Sequence, residues 1–335
     1  MHATGTPLAP CPPISRRRVL ASGAAALAAS AVSGAAWAQS DRTLRLVLPN
    51  AAGSGVDIIA RAVQAALSRA LGQTVVVDNQ PGAGGVLGLQ ALSRAAPDGQ
   101  TLSLVSNSVV TLPSVLKSMP FTMPDDFTPI AVVGRTPFVL VAHHKMGASN
   151  AQAFAAALKA RPDHYTFGSG GTGSILHMAG EMYLDEANVT ARHIPYKGVG
   201  QMVNDLVGGQ LDFSVLGLAS AMPHIRSGVL KAIGVASNAR SPVAPDIPTF
   251  AEQGLPGYQI DGWFAVLGPK GLPPEQVKRA HDALVAAFSA PDAKEAMDKQ
   301  GNIIDIGTPE AAQAFFTSEV ARFAAVAKKA GVQPQ

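Results

Sequence analysis

Leu44, Leu46 and Leu48 alternate with their neighbours, a period of two that predicts a strand. The turn Pro49–Gly55 follows, and an apolar stripe of helical period then runs from about Val56 to Leu71, with Gly72 at the C′ position. The same alternation of short apolar run and amphipathic stretch continues along the chain. Val75–Val77 predicts a strand, Asn79–Gly85 a turn and Val86 to about Ala96 a helix. After the turn Pro97–Gly99, Thr101–Ser106 is a strand ending in the polar turn Ser106-Asn107-Ser108. Ile130–Val133 and Phe138–Ala142 predict two more strands, and Asn150–Arg161 a helix. Tyr165–Phe167 is a strand that leads into Gly168-Ser169-Gly170-Gly171-Thr172-Gly173-Ser174, followed by a helix from Ile175 to about Leu184. His193–Pro195, Phe213–Leu216 and Val229–Ala236 read as strands, with a helix at Gln201–Val207. Helices at about Glu275–Ser289, Ala293–Gln300 and Pro309–Ala330 make up the tail.

Strands separated by helices predict an α/β fold of mostly parallel sheets flanked by helices. Both halves of the chain begin with a strand, a Gly/Ser turn and a helix. Two α/β domains across a cleft follow, with Trp263 packing where the chain crosses back between them. In such sheets ligands sit at the carboxyl ends of strands.

Residues 1–38 change the reading of composition. Ser15-Arg16-Arg17-Arg18-Val19-Leu20 is a twin-arginine n-region, Ala21–Gly34 is weakly apolar, and Ala36-Trp37-Ala38 is a cleavage site. A general secretory signal is the alternative, and both lead to the periplasm with cleavage after Ala38. The leader holds three of the 26 basic residues and none of the 23 acidic ones, so the remainder is formally neutral. That excludes a basic nucleic-acid-binding surface. The one cysteine, Cys11, lies in the leader, which excludes disulfides and thiol chemistry beyond it. No later run is apolar and long enough to span a membrane, so a soluble exported protein is expected.

The chemistry lies in three glycine-rich strand-end turns. Turn one is Pro49–Asp57, where Gly53 and Gly55 allow tight backbone, Ser54 brings a hydroxyl, and Asp57 falls in the first helical turn as a cap or dipole partner. Turn two is Asn79–Gly85. Turn three is Gly168–Ser174, with Ser169, Thr172 and Ser174 as hydroxyl donors. Glycines let backbone N–H groups approach a ligand, and helix starts attract anions. Turn three also matches the dinucleotide pattern, but Tyr196-Lys197 stands where the ribose-binding acid belongs. No nucleophile elbow exists, and His177 three residues after Ser174 lacks a third orienting group, so a hydrolase reading is weak. His177 reads instead as a packing or capping residue near the cleft wall. His143-His144 closes a strand with side chains to opposite faces, which disfavours a shared metal. Lys197 reads either as a cleft-rim charge or as a solvated one. No cofactor and no metal are implied.

The stretches PNAAGSGVDIIAR (49–61), NQPGAGGVLG (79–88), PDGQTL (97–102), GSGGTGSILHMAGE (168–181), PYKGVGQMVNDLVGGQLD (195–212), SPVAPDIPTFAEQG (241–254) and 308–331 together resemble the Bug proteins, extracytoplasmic receptors of tripartite tricarboxylate transporters. The resemblance implies a hinged two-domain periplasmic binding protein, with residues 39–141 and 264–335 in one domain and 142–263 in the other. It implies a monomer that presents a small carboxylate (a di- or tricarboxylate, an acidic amino acid or an aromatic acid) to transporter membrane subunits. The ligand would be held by turns one and three, here Asn50, Ala52, Gly53, Ser54, Gly55 and Asp57 with Ser169, Gly170, Gly171, Thr172, Ser174 and His177. Ser106 and Asn107 would face its far end. Departures from the family pattern are Val56 for threonine, Ser54 for glycine and Asn50 for an aromatic residue. An orphan receptor serving a sensor and a periplasmic hydrolase are the alternatives.

Overall fold

The computed structural model describes residues 43–334, so the leader and the cleavage site after Ala38 lie outside the described residues. Ten strands form one mixed sheet: β1 (Leu44–Leu48), β2 (Val75–Asn79), β3 (Thr101–Ser106), β4 (Phe127–His143), β5 (Thr166–Ser169), β6 (Arg192–Pro195), β7 (Phe213–Gly217), β8 (Leu230–Val235), β9 (Asp261–Pro269) and β10 (Ile303–Ile304). The helices are α1 (Gly55–Leu71), α2 (Val86–Ser93), α3 (Ser108–Val115), α4 (Ala151–Ala160), α5 (Ile175–Glu186), α6 (Val199–Val207), α7 (Leu218–Arg226), α8 (Pro274–Phe288), α9 (Pro291–Lys299) and α10 (Pro309–Lys329).

Parallel pairing holds where a helix intervenes, in β2-β1-β3 and in β6-β5-β7. It gives way to antiparallel pairing around β4 and β9, which run from one half of the sheet to the other. A single strand β4 replaces the two strands expected at Ile130–Val133 and Phe138–Ala142. Gly134 to Pro137 stays extended and pairs with β9 from Phe264 to Asp261. From Phe138 onward β4 changes partners and pairs with β7 and β8. The pleat therefore continues through the crossing, where the residue pattern shows a gap.

Two helices went unpredicted. α3 contains Pro113 and α7 contains Pro223, each the sixth residue of its helix, and proline normally interrupts a helical pattern. α1 is stopped by Gly72, which adopts a left-handed φ of 66° and donates to Arg69 O.

One apolar cluster fills the space between β1, β3, β9 and helices α1, α8 and α9, with Leu48, Ile59, Leu67, Ile130, Phe264 and Phe288 buried. A larger cluster runs from Val109 and Leu112 on α3 through Trp263 and Phe316 to Phe154, Phe167 and Tyr183. α10 packs into this larger cluster through its buried Phe316, Phe323 and Ala327. Trp263 donates from its indole N–H to Glu319 Oε2 at 3.0 Å and meets Phe315 and Phe316 edge-on.

Candidate functional site

Register sets the two parallel groups of strands nose to nose. Ser106, at the carboxyl end of β3, stands opposite Phe264, which stands opposite Gly134 of β4. Gly217, at the carboxyl end of β7, stands opposite Phe138 of the same strand. β3 runs with β4 and β7 runs against it, so the two ends point at each other across four residues of β4, roughly 13 Å of extended chain. β1 and β2 share the direction of β3, and β5 and β6 that of β7. Turns one, two and three therefore all open toward the crossing. A direct contact confirms the approach. A Cβ built on Gly173 would clash with Val115 Cγ1 at the end of α3.

Turn one is built around Asp57. Its carboxylate accepts from Gly53 N at 2.8 Å, from Arg61 Nε at 3.0 Å and from Asn79 Nδ2 at 3.0 Å. Asn79 also donates to Asn50 O at 3.2 Å and accepts from Arg61 Nη2. Arg61 foremost, with the Gly53 N–H, holds the Asp57 carboxyl down at about 2. Asp57 is buried within its own loop, where its carboxylate shapes the turn. Ser54 is the N-cap of α1, its oxygen accepting from Asp57 N, which leaves the hydroxyl proton to donate. The N–H groups of Gly55 and Val56 have no acceptor among the described residues, as the first turn of a helix requires. Ala52, Gly53 and Gly55 are exposed, and Asn50 is half-buried with Oδ1 enclosed and unpartnered.

Turn two supports turn one. Gly88 packs so closely on Pro49 that a Cβ there would meet Pro49 Cα at 2.8 Å.

Turn three repeats the plan of turn one. Ser174 caps α5, accepting from His177 N at 3.3 Å. Gly171 and Gly173 take left-handed φ values of 125° and 77°. The N–H groups of Thr172, Ile175 and Leu176 have no acceptor among the described residues. Thr172 is exposed, and Gly170 and Gly171 are half-buried. Ser169 is fully buried, and its hydroxyl bonds Gly171 and, at 2.7 Å, His193 Nε2. The ring of His177 is buried and accepts from Gly173 N at 3.0 Å, in keeping with a packing or capping residue. His193 was not foreseen. It was one more residue of a short strand, and only its pairing opposite Phe167 puts it behind the turn.

Ser106 half-emerges at the end of β3 and bonds Ser108 Oγ at 3.2 Å, while Asn107 is buried and donates to Asp261 O. Asp261 itself accepts from Ser237 Oγ, and burial pushes its carboxyl up. Lys197 is exposed in the loop that covers turn three and forms no ion pair among the described residues. Tyr196 beside it is tied to Asp205 at 2.8 Å.

His143 and His144 do not point apart. The strand ends at His143, the chain turns, and the two rings lie 4.3 Å apart. Among the described residues no group of three or more His, Cys, Asp or Glu could hold a metal, and no helix is long and apolar enough to cross a membrane.

These features match known proteins over most of the chain. A family model described as the tripartite tricarboxylate transporter family receptor matches residues 59–332. Protein BugT of Bordetella pertussis is 35% identical over 295 residues, covering 87% of this chain and 90% of BugT. The structure of the periplasmic binding protein BugD superposes with a TM-score of 0.74 at 33% identity, over 88% of this chain and 99% of BugD. MatC of Rhodopseudomonas palustris, with bound malate, superposes with a TM-score of 0.73 at 28% identity, over 85% of this chain and 99% of MatC. The fold is that of the periplasmic binding proteins, and the chain belongs to the tripartite tricarboxylate transporter receptor family, among its Bug-type members.

Proposed function

We propose that this protein is a periplasmic receptor that captures a small carboxylate and presents it, as a monomer, to the membrane subunits of a tripartite transporter. The observation that carries the reading is the pair of serine-capped helix starts, Ser54–Val56 and Ser174–Leu176, opening toward each other with uncommitted N–H groups. Each is an anion site by the partial positive charge of its helix end. Hydrogen bonds to a charged acceptor are about twice as strong as neutral ones. No arginine stands in either turn, so capture rests on backbone dipoles, and water bridges let one site take related acids.

Residues 39–141 with 264–335 and residues 142–263 act as the two domains. The exchange of partners in β4 at Pro137 and Phe138, and the start of β9 at Asp261, supports hinge points close to those boundaries. A ligand touched by both helix starts stabilises the closed arrangement by the difference in its contacts to the two states. Malate, found in MatC, is the first acid to try.

The test is calorimetric titration and thermal shift of the exported protein against malate, longer dicarboxylates, citrate, acidic amino acids and aromatic acids. One class is expected to bind and raise the melting temperature. If an ester is hydrolysed instead and no acid binds, the receptor reading fails.

A further inference from the structure

A loop from the last third of the chain reaches the start of α1. α9 packs along α1, and Gln300 is its C-cap. The side-chain oxygen Gln300 Oε1 lies 4.0 Å from the place a Cβ on Gly55 would take. Cα–Cβ bonds lean toward the N-terminus of their helix, so this oxygen stands on the side of α1 where the Gly55 and Val56 N–H groups are open. Gly301 follows with a left-handed φ of 64° and packs on the first turn of α7, where a Cβ on it would meet Ala219 Cβ at 3.5 Å. Asn302 is buried and accepts from Thr136 Oγ1 at 2.6 Å, and β10 pairs with Gly134 and Arg135 of β4. The segment 300–304 is thereby tied to α1, to α7 and to the crossing strand, which are the parts that frame the opening.

We propose that Gln300 is a specificity-determining residue of the ligand site, an acceptor that selects carboxylic acids carrying a hydroxyl or ammonium group on the carbon next to the bound carboxylate. The proposal rests on the carboxylate reading given above and narrows it to α-hydroxy and α-amino acids.

The orientation of the amide follows from its partner. Gln300 Nε2 donates to Ala296 O at 3.2 Å, and a backbone carbonyl can only accept. Oε1 is therefore the atom left toward Gly55, and no donor among the described residues bonds it. The side chain is half-buried, so a ligand can reach it. Gln300 also ends a helix, and the partial negative charge of that end favours a donor or a cation over a bare carboxylate oxygen. A carboxylate bonded to the Gly55 and Val56 N–H groups brings its neighbouring carbon toward Oε1. A hydroxyl or ammonium on that carbon donates to the amide oxygen. A plain methylene takes away the water that solvated the oxygen and gives nothing in return. The cost falls on the unsubstituted acid, so one side chain both favours the right ligand and disfavours the wrong one.

Calorimetric titration of the exported protein with matched acids tests this. The pairs are malate with succinate, aspartate with succinate, and mandelate with phenylacetate. The native protein is expected to bind the substituted member of at least one pair about tenfold more tightly, the worth of one hydrogen bond. Gln300→Leu keeps the bulk and removes the acceptor, and there the ratio falls to about one. Gln300→Met, unbranched and of similar length, does the same and serves if the leucine variant fails to fold. Melting temperatures without ligand should stay close to native, since the side chain is half-buried and makes a single hydrogen bond. Equal affinities within every pair in the native protein, or a ratio that survives both substitutions, overturns the proposal and leaves the receptor reading standing. If the native protein binds no acid of any pair, nor any acid of the wider screen, the receptor reading itself fails and the proposal falls with it.

Discussion

Asp57 ties Gly53, Arg61 and Asn79 to one carboxylate, and so joins the loop after β1 to the end of β2. Replacing it with alanine leaves the Gly53 N–H and the Asn79 amide without their acceptor. The expected cost is about 1–2 kcal/mol in chemical denaturation, with weaker ligand capture, since the loop that presents the Gly55 and Val56 N–H groups is loosened. Gly173 makes a sharper case. Alanine there must hold a φ of 77° and place Cβ in a clash with Val115 Cγ1. Gly173→Ala should weaken binding, and adding Val115→Ala should recover part of the loss. A double-mutant cycle by calorimetry measures it, and strict additivity would mean that the two halves do not meet at this point when ligand is bound.

At the level of elements, α5 does two jobs at its first turn: Ser174 caps it and its free N–H groups face the opening. Ser174→Asp separates them. Aspartate caps at least as well as serine, so the melting temperature should hold, while its charge repels a carboxylate and should reduce affinity by tenfold or more. Ser174→Ala should lose about 0.5–2 kcal/mol of stability as well. α10 packs against α3, β4 and α5. Phe323 is fully buried in it, and Phe323→Ala should cost roughly 3–5 kcal/mol in urea unfolding through the cavity left behind. Apolar runs of helical period marked α1 and α5 in the bare sequence, whereas the capping roles of Ser54 and Ser174 emerge only in the fold. The prolines of α3 and α7 hid those helices, because a proline within a short run breaks the pattern on which the helix is read.

Across the whole molecule, the pH response follows from groups whose charge differs between folded and unfolded chains. His193 is held at about 4 against an ordinary 6.5, so the unfolded chain takes up a proton that the folded chain refuses. Its contribution is complete above about 6.5 and is lost as pH falls from there toward 4. Asp57, lowered from 3.8 to about 2, contributes above 3.8 and is lost as pH falls toward 2. Denaturation midpoints followed from pH 8 to 3 should therefore decline in two stages. A His193→Gln protein should lack the first, and an unchanged first stage would assign it to another group.

The chain by itself determined most of the strands and helices, though not α3, α7 or β9, together with the strand-end glycine turns and the family to which they belong. Those features are local: period, caps and turn residues act within a few positions of one another. It did not disclose which polar side chains face inward. Ser169, Asp57 and His177 have the chemistry of ligand contacts, yet their partners are Asn79, His193 and Gly173, reached across strand pairs or around a turn. Nor did it disclose that β4 runs unbroken through Gly134–Pro137, because only pairing with β9 holds that stretch extended. Burial and hydrogen-bond satisfaction are properties of the assembled sheet, so tertiary structure alone decided which residues shape the two turns and which N–H groups they leave open.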